Sequence, residues 1–74
     1  INQNNKLTRE FKFKDFIEAM GFITKVGLLA EKMNHHPKLI SNYNFVILEL
    51  STHSAGNVVT QKDFDLAHAI DHLL

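Results

Sequence analysis

Apolar residues recur along the chain at two different spacings, and the switches between them divide it into elements. Leu7-Thr8-Arg9-Glu10-Phe11-Lys12-Phe13 alternates, with Leu7, Arg9, Phe11 and Phe13 on one face, which predicts a half-buried strand. From Phe16 the spacing lengthens to three and four. Phe16, Ala19, Phe22, Val26, Leu29 and Met33 form a stripe, widened by Met20, Ile23 and Ala30, with the period of a long amphipathic helix. Asp15 can cap its start. Pro37 cannot continue a helix and biases His36 away from helical backbone, so the helix is expected to end before His35. Gly21 and Gly27 each cost up to about 1 kcal/mol relative to Ala inside a helix and are expected to mark close packing.

Lys38 to Asn42 reads as a crossing. Tyr43 to Leu50 then reads as a second strand ending at Thr52-His53, with Phe45, Ile47 and Glu49 opposite Val46, Leu48 and Leu50. Both faces of that strand are largely apolar, which predicts a partner for the outer face of the sheet. Asn4-Asn5 and Gly56-Asn57 suit the left-handed backbone of tight turns. Thr60-Gln61-Lys62-Asp63 has the spacing of a capping box and opens a second helix, with Phe64, Ala67, Ile70 and Leu74 as its expected buried stripe. The order strand, helix, strand, helix predicts an α+β fold, with two helices packed on one face of a small antiparallel sheet. The connection after the first helix is short, and periodicity alone leaves a parallel crossover open. No repeat, low-complexity tract or linker divides the chain, so residues 1–74 are expected to form one domain.

Composition narrows the function classes. The 45% apolar content with six Phe suffices for a packed core, but 74 residues lie near the size at which one core only just offsets chain entropy. Self-association is therefore expected. Eight basic and eight acidic side chains cancel, leaving no electrostatic footprint for direct binding to nucleic acid or to an anionic membrane surface. No apolar run approaches the roughly 20 residues that span a bilayer, and nothing resembles a signal peptide. The lack of cysteine removes disulfides and thiolate chemistry and suits a cytoplasmic location. The chain starts at Ile1 rather than Met, so an incomplete N-terminus is expected.

The residues with most chemical potential fall between Glu31 and Asp63: the adjacent pair His35-His36 before Pro37, and His53 downstream. Imidazoles titrate near neutrality, so neighbouring histidines in different environments can offer a proton donor and an acceptor at one pH, as a dehydration requires. Two exposed loop histidines without a role are the plain alternative. Three histidines could also hold zinc, but adjacent residues do not readily aim both rings at one ion. His68 and His72, one helical turn apart, could chelate a metal, yet read more simply as solvated helix positions. A hydrolase built from Ser51 or Ser54 with His53 and Asp63 lacks a nucleophile elbow. Asp63 alone reads as a helix cap.

Glu31, three residues, His35-His36-Pro37, five residues, Tyr43, nine residues, His53, nine residues, Asp63 resembles the signature of the pterin-4a-carbinolamine dehydratases. Arg9-Glu10-Phe11-Lys12-Phe13 leading into Asp15-Phe16, Glu18-Ala19-Met20 and Asp63-Phe64-Asp65-Leu66-Ala67 extend the likeness over nearly the whole chain. The resemblance implies a lyase, without metal or other cofactor, that dehydrates 4a-hydroxytetrahydropterin to quinonoid dihydropterin in tetrahydrobiopterin recycling. It implies catalysis by His35, His36 and His53, and substrate contacts from Asn34, His35, His36, Pro37, Ser51, Thr52, His53 and Ser54. Glu31, Tyr43 and Asp63 would be supporting residues. His36 and His53 are expected to carry most of the rate, with His35 acting partly through binding. The family fold adds an N-terminal helix, as a third, and a strand, and assembles as a homodimer or homotetramer. Animal members also bind a transcription factor and stabilise its dimer, and a role in molybdopterin metabolism has been proposed for some microbial members, so a non-enzymatic binding module is the alternative. Three departures stand out: Asn34 where many members carry an acid, Leu39 where many carry Trp, and one extra residue between His53 and Asp63.

Overall fold

The alternation at the start of the chain forms β1, Leu7–Lys12, and the longer period that follows forms α1, Phe16–Met33. In the computed structural model, which describes residues 5–74, the chain continues through β2 (Lys38–Asn42), β3 (Phe45–Leu50), one 3-10 turn (His53–Ala55) and α2 (Gln61–Asp71). Asn5 has the expected left-handed backbone, with φ 58°. Asn4 and the strand implied before β1 fall outside the described residues.

β3 is the central strand, and the sheet order is β1-β3-β2 with both pairings antiparallel. The α+β fold is therefore as predicted, and the parallel crossover is not used. Lys38 to Asn42 is a strand rather than a crossing. Its alternation is weak, with Leu39 alone meeting the helix side opposite Leu48 while Ile40 faces Ile47 on the open side. Tyr43 belongs to the turn of a β2–β3 hairpin, not to the strand, and takes φ 54° where such turns normally carry Gly or Asn. That choice hid the turn. The Asn44 side-chain amide donates to the Phe13 carbonyl at 2.9 Å, and the Phe13 amide donates to the Asn44 carbonyl at 2.8 Å, tying the turn to the end of β1.

Register decides which residues meet the helices. Leu7 pairs with Leu50, Arg9 with Leu48 and Phe11 with Val46, so one sheet face gathers Phe11, Val46, Leu48 and Leu50. Onto it pack Ala19, Phe22 and Val26 of α1 and Leu66 and Ile70 of α2. Phe22 sits between Phe11 and Phe13, with centroids 4.7 and 5.0 Å away. The Arg9 guanidinium lies over the Phe11 ring at 4.7 Å and pairs with Asp71, joining β1 to α2. Asp15 caps α1 by accepting from the Glu18 amide at 2.9 Å.

The helical stripes are narrower than predicted. Phe16 and Met33 at the ends of α1 are substantially exposed, and Ala30 holds the buried place near its C-terminus. In α2 the buried side chains are Asp63, Leu66 and Ile70, while Phe64 and Leu74 are exposed. The helix is turned so that the carboxylate of Asp63, not the ring of Phe64, faces inward. On the outer sheet face Phe45, Ile47 and Ile40 remain only partly covered, and Lys38 opposite Glu49 marks its charged margin. Among the described residues no helix is long and apolar enough to cross a membrane.

The glycines of α1 do not mark close packing within the chain: a Cβ added at Gly21 or Gly27 meets nothing within 4 Å. Gly27→Ala should therefore raise stability by about 0.5–1 kcal/mol, through the smaller entropy of the unfolded chain. Leu66→Ala, at a fully buried site, should lower it by about 2–5 kcal/mol. Urea unfolding reads both. A loss on Gly27→Ala would instead place that position against another chain.

Candidate active site

Three turns of backbone bring His35, Thr52 and Asp63 together, with Glu31 beside His36. At the end of α1, Asn34 adopts the left-handed region at φ 51°, its amide donates to the Glu31 carbonyl, and the His35 amide donates to the Ala30 carbonyl at 3.0 Å. These paired bonds form a Schellman motif, which stops the helix and reverses the chain at His35. Asparagine tolerates that backbone better than most residues, which accounts for Asn34 in physical terms. Pro37 then holds His36 extended, and Lys38 enters β2 opposite Glu49. At the far end of β3, Thr52 forms an isolated bridge with Val58, and the left-handed Gly56 and Asn57 close the loop between them. Thr60 begins α2.

Asp63 joins all three segments. It is fully buried, and one carboxylate oxygen, Oδ1, lies 2.6 Å from Nε2 of His35. Its Oδ2 accepts from the Thr52 hydroxyl at 2.9 Å and from the Thr60 amide at 2.8 Å. The hydroxyls of Thr52 and Thr60 are 2.6 Å apart. Because Thr52 spends its hydrogen on Asp63, Thr60 donates to Thr52. No buried side-chain nitrogen or oxygen among the described residues lacks a partner. Burial pushes the Asp63 carboxyl up, but the bonds from His35, the Thr60 amide and the Thr52 hydroxyl, together with the His35 charge, outweigh it and hold the group below its ordinary value of 3.8. The start of α2 also favours a negative charge there.

The three candidate histidines have different surroundings. The His35 side chain is only 12% exposed. His36 turns to Glu31, with Nε2 2.9 Å from Oε1, and both are exposed. His53 is exposed in the 3-10 turn, with Nδ1 3.1 Å from Oδ1 of Asn57. Thr52, the neighbour of His53, reaches His35 through Asp63, so the two loops that carry the three histidines are linked by hydrogen bonds. Ser51 accepts from Lys6 at 3.2 Å, and Ser54 is exposed beside His53. Tyr43 is not near them. It lies at the opposite end of the six-residue β3, roughly 20 Å away at about 3.4 Å per residue.

Asp63 is more than the cap expected of it, and the threonines Thr52 and Thr60 form a network that spacing alone did not reveal. The available signal was the low occurrence of buried carboxylates without partners, which becomes useful only once Asp63 is known to face inward. Among the described residues no three His, Asp, Glu or Cys side chains are grouped to hold a metal. His72 turns Nδ1 to the His68 carbonyl at 2.8 Å, so that pair does not present two rings to one ion. A separate groove of about 280 Å³ between β1 and α2, lined by Leu7, Phe11, Leu50, Phe64 and Ile70 among others, contains none of the three histidines.

A small α+β domain whose helix-end histidine is held by a buried carboxylate defines a class of protein with acid–base potential at one end of the sheet. The pterin 4 alpha carbinolamine dehydratase family model matches residues 1–73, and the chain belongs to that family. It is 52% identical over 71 residues to a Sulfolobus acidocaldarius protein provisionally named a pterin-4-alpha-carbinolamine dehydratase, covering 96% of this chain and 77% of that one. A Solibacter usitatus protein with the same provisional name is 53% identical over 70 residues, covering 95% and 73%. The crystal structure of a transcriptional coactivator/pterin dehydratase from Brucella melitensis superposes with a TM-score of 0.89 at 42% identity, covering 97% of this chain and 76% of that one.

A carboxyl held below its unfolded pKa contributes stability that is complete above that unfolded value and is lost as pH falls through the folded one. Asp63→Asn should therefore cost about 3 kcal/mol at neutral pH, the lower end of the range for breaking a buried pair. The cost should shrink as pH falls well below the ordinary carboxyl value of 3.8, where wild type is itself losing the contribution. Urea unfolding followed by circular dichroism at the two pH values measures this, and an equal loss at both would show that the Asp63 charge is not what stabilises the site.

Proposed function

We propose that this chain is a hydro-lyase that dehydrates a 4a-hydroxytetrahydropterin to the quinonoid dihydropterin by histidine general acid–base catalysis, with no metal or other cofactor. The observation that carries the reading is the His35 ring held by the buried Asp63 carboxylate beside His36, on a chain of the pterin dehydratase family. In the reaction the bond from C4a to its hydroxyl breaks. One group protonates the departing oxygen, another takes the proton of the ring N–H, and water leaves. His35, His36 and His53 would divide these tasks. Asn34, Pro37, Ser51, Thr52 and Ser54 border the same segments and would contact the pterin. The Asp63 contact gives His35 a larger share than its sequence position suggests, because a fixed imidazole needs less reorganisation than a solvated one.

The proposed setting is tetrahydrobiopterin recycling in the cytoplasm, by a homodimer or homotetramer that covers the partly apolar outer face of the sheet. The description of the Brucella melitensis protein as a transcriptional coactivator/pterin dehydratase supports a second reading, in which the domain binds a transcription factor. The two differ in what the histidines must do. A binding module tolerates His→Gln at the site, and a dehydratase does not.

Stopped-flow measurement with a 4a-hydroxytetrahydropterin and a chelator present should give turnover above the spontaneous reaction. Replacing one histidine with Ala should lower kcat by about 100- to 10,000-fold without abolishing it, as for loss of one acid–base group. The rate should follow a bell in pH whose limbs belong to the coupled set of rings, with one limb lost in His53→Gln. Turnover abolished by chelation and restored by zinc would refute the metal-free mechanism, and equal small losses for all three histidines would leave only a binding pocket.

A further inference from the structure

Nε2 of His35 lies 2.6 Å from a carboxylate oxygen that, ionised, can only accept. Nε2 must therefore carry the hydrogen of that bond. Among the described residues nothing bonds Nδ1 of His35. The carboxylate is itself immobile, because its other oxygen holds the Thr52 hydroxyl and the Thr60 amide, and the Thr60 hydroxyl backs Thr52. We infer that Asp63 is a positioning residue that fixes His35 as the Nε2–H tautomer, so that Nδ1 is the ring atom that meets the pterin. The inference deepens the proposed dehydratase reading and rests on it for the identity of the substrate.

The consequence is chemical. A neutral His35 locked this way presents a lone pair at Nδ1 and accepts a proton there. The resulting imidazolium keeps its Nε2–H on Asp63 and offers Nδ1–H as a donor. Nδ1 is thus the one ring atom through which His35 exchanges a proton, as acceptor when neutral or as donor when charged, while the carboxylate steadies the charged form without accepting the proton itself, the role that an orienting acid plays behind a catalytic imidazole. The other groups near the ring do not compete. Thr52 and Thr60 are neutral, and Glu31 is occupied with His36. Without Asp63 a neutral ring divides between two tautomers, and the hydrogen on Nδ1 blocks base catalysis in one of them.

Nitrogen-15 NMR of the intact, histidine-labelled protein, recorded above the titration of the rings, reads the tautomer directly. For His35 we expect a pyrrole-type signal at Nε2 and a pyridine-type signal at Nδ1. Asp63→Asn should mix the two forms and lower kcat by at least about 10-fold, within the span of one acid–base group, with KM changed much less. Thr52→Val, which frees one side of the carboxylate without touching His35, should shift both readouts in the same direction but less, and it guards against the case in which Asp63→Asn does not fold. A His35 with its hydrogen on Nδ1 in the wild-type protein overturns the inference. So does an Asp63→Asn or Thr52→Val protein that folds less stably yet keeps the wild-type tautomer and kcat, since that is the behaviour of a helix cap alone. Absence of turnover in the wild type would sink the dehydratase reading while the tautomer remained measurable, so the two failures are distinguishable.

Discussion

A carboxylate removed from water costs several kcal/mol unless its oxygens are fully engaged, and Asp63 meets that condition only by drawing three separate segments to one point. His35 comes from the turn after α1, Thr52 from the loop after β3, and Thr60 from the residue that opens α2. The donors act together, because the loss of His35 leaves Oδ1 buried without a partner and the loss of Thr52 or Thr60 removes one of the two bonds at Oδ2. The placement of α2 on the sheet, the course of the His53 loop and the attitude of the His35 ring are therefore one coupled choice.

The rest of the fold sets the ends of that arrangement. β3 lies between its two partners and delivers Thr52 to the same end of the sheet at which β2 begins, next to Pro37. The antiparallel hairpin makes this adjacency unavoidable, since Lys38 pairs with Glu49 at the end nearest the histidines while Tyr43 closes the other end. Behind the site, the Schellman turn at Asn34 and the restriction imposed by Pro37 leave little freedom to the two residues between them. The histidine pair is thus presented by a stiff corner.

Membership of the pterin dehydratase family and the close superposition on the Brucella melitensis protein establish the fold and lineage. Function still has to be argued from the site, because one fold hosts many activities. Here the site is asymmetric. One imidazole is largely buried on a fixed carboxylate, and two are open to solvent on short polar contacts. Such asymmetry is what lets like groups take unlike parts in a proton transfer.

Local rules were enough for much of this. The capping Asp15, the period of α1, the stop before His35-His36-Pro37 and the Thr60–Asp63 helix start are all decided within a few residues of chain, and each appears where the sequence indicates. The signature spacing marked His35, His36, His53 and Asp63 as belonging together. Tertiary structure decided what local pattern could not. β2 is a strand because β3 offers it an edge, despite weak alternation and a Tyr at the turn. α2 faces inward through Asp63 rather than Phe64, because the donors His35 and Thr52, 28 and 11 residues away in the chain, satisfy the charge. Periodicity ranks residues by the transfer cost of isolated side chains, and that cost for a carboxylate is reversed only by partners that folding assembles.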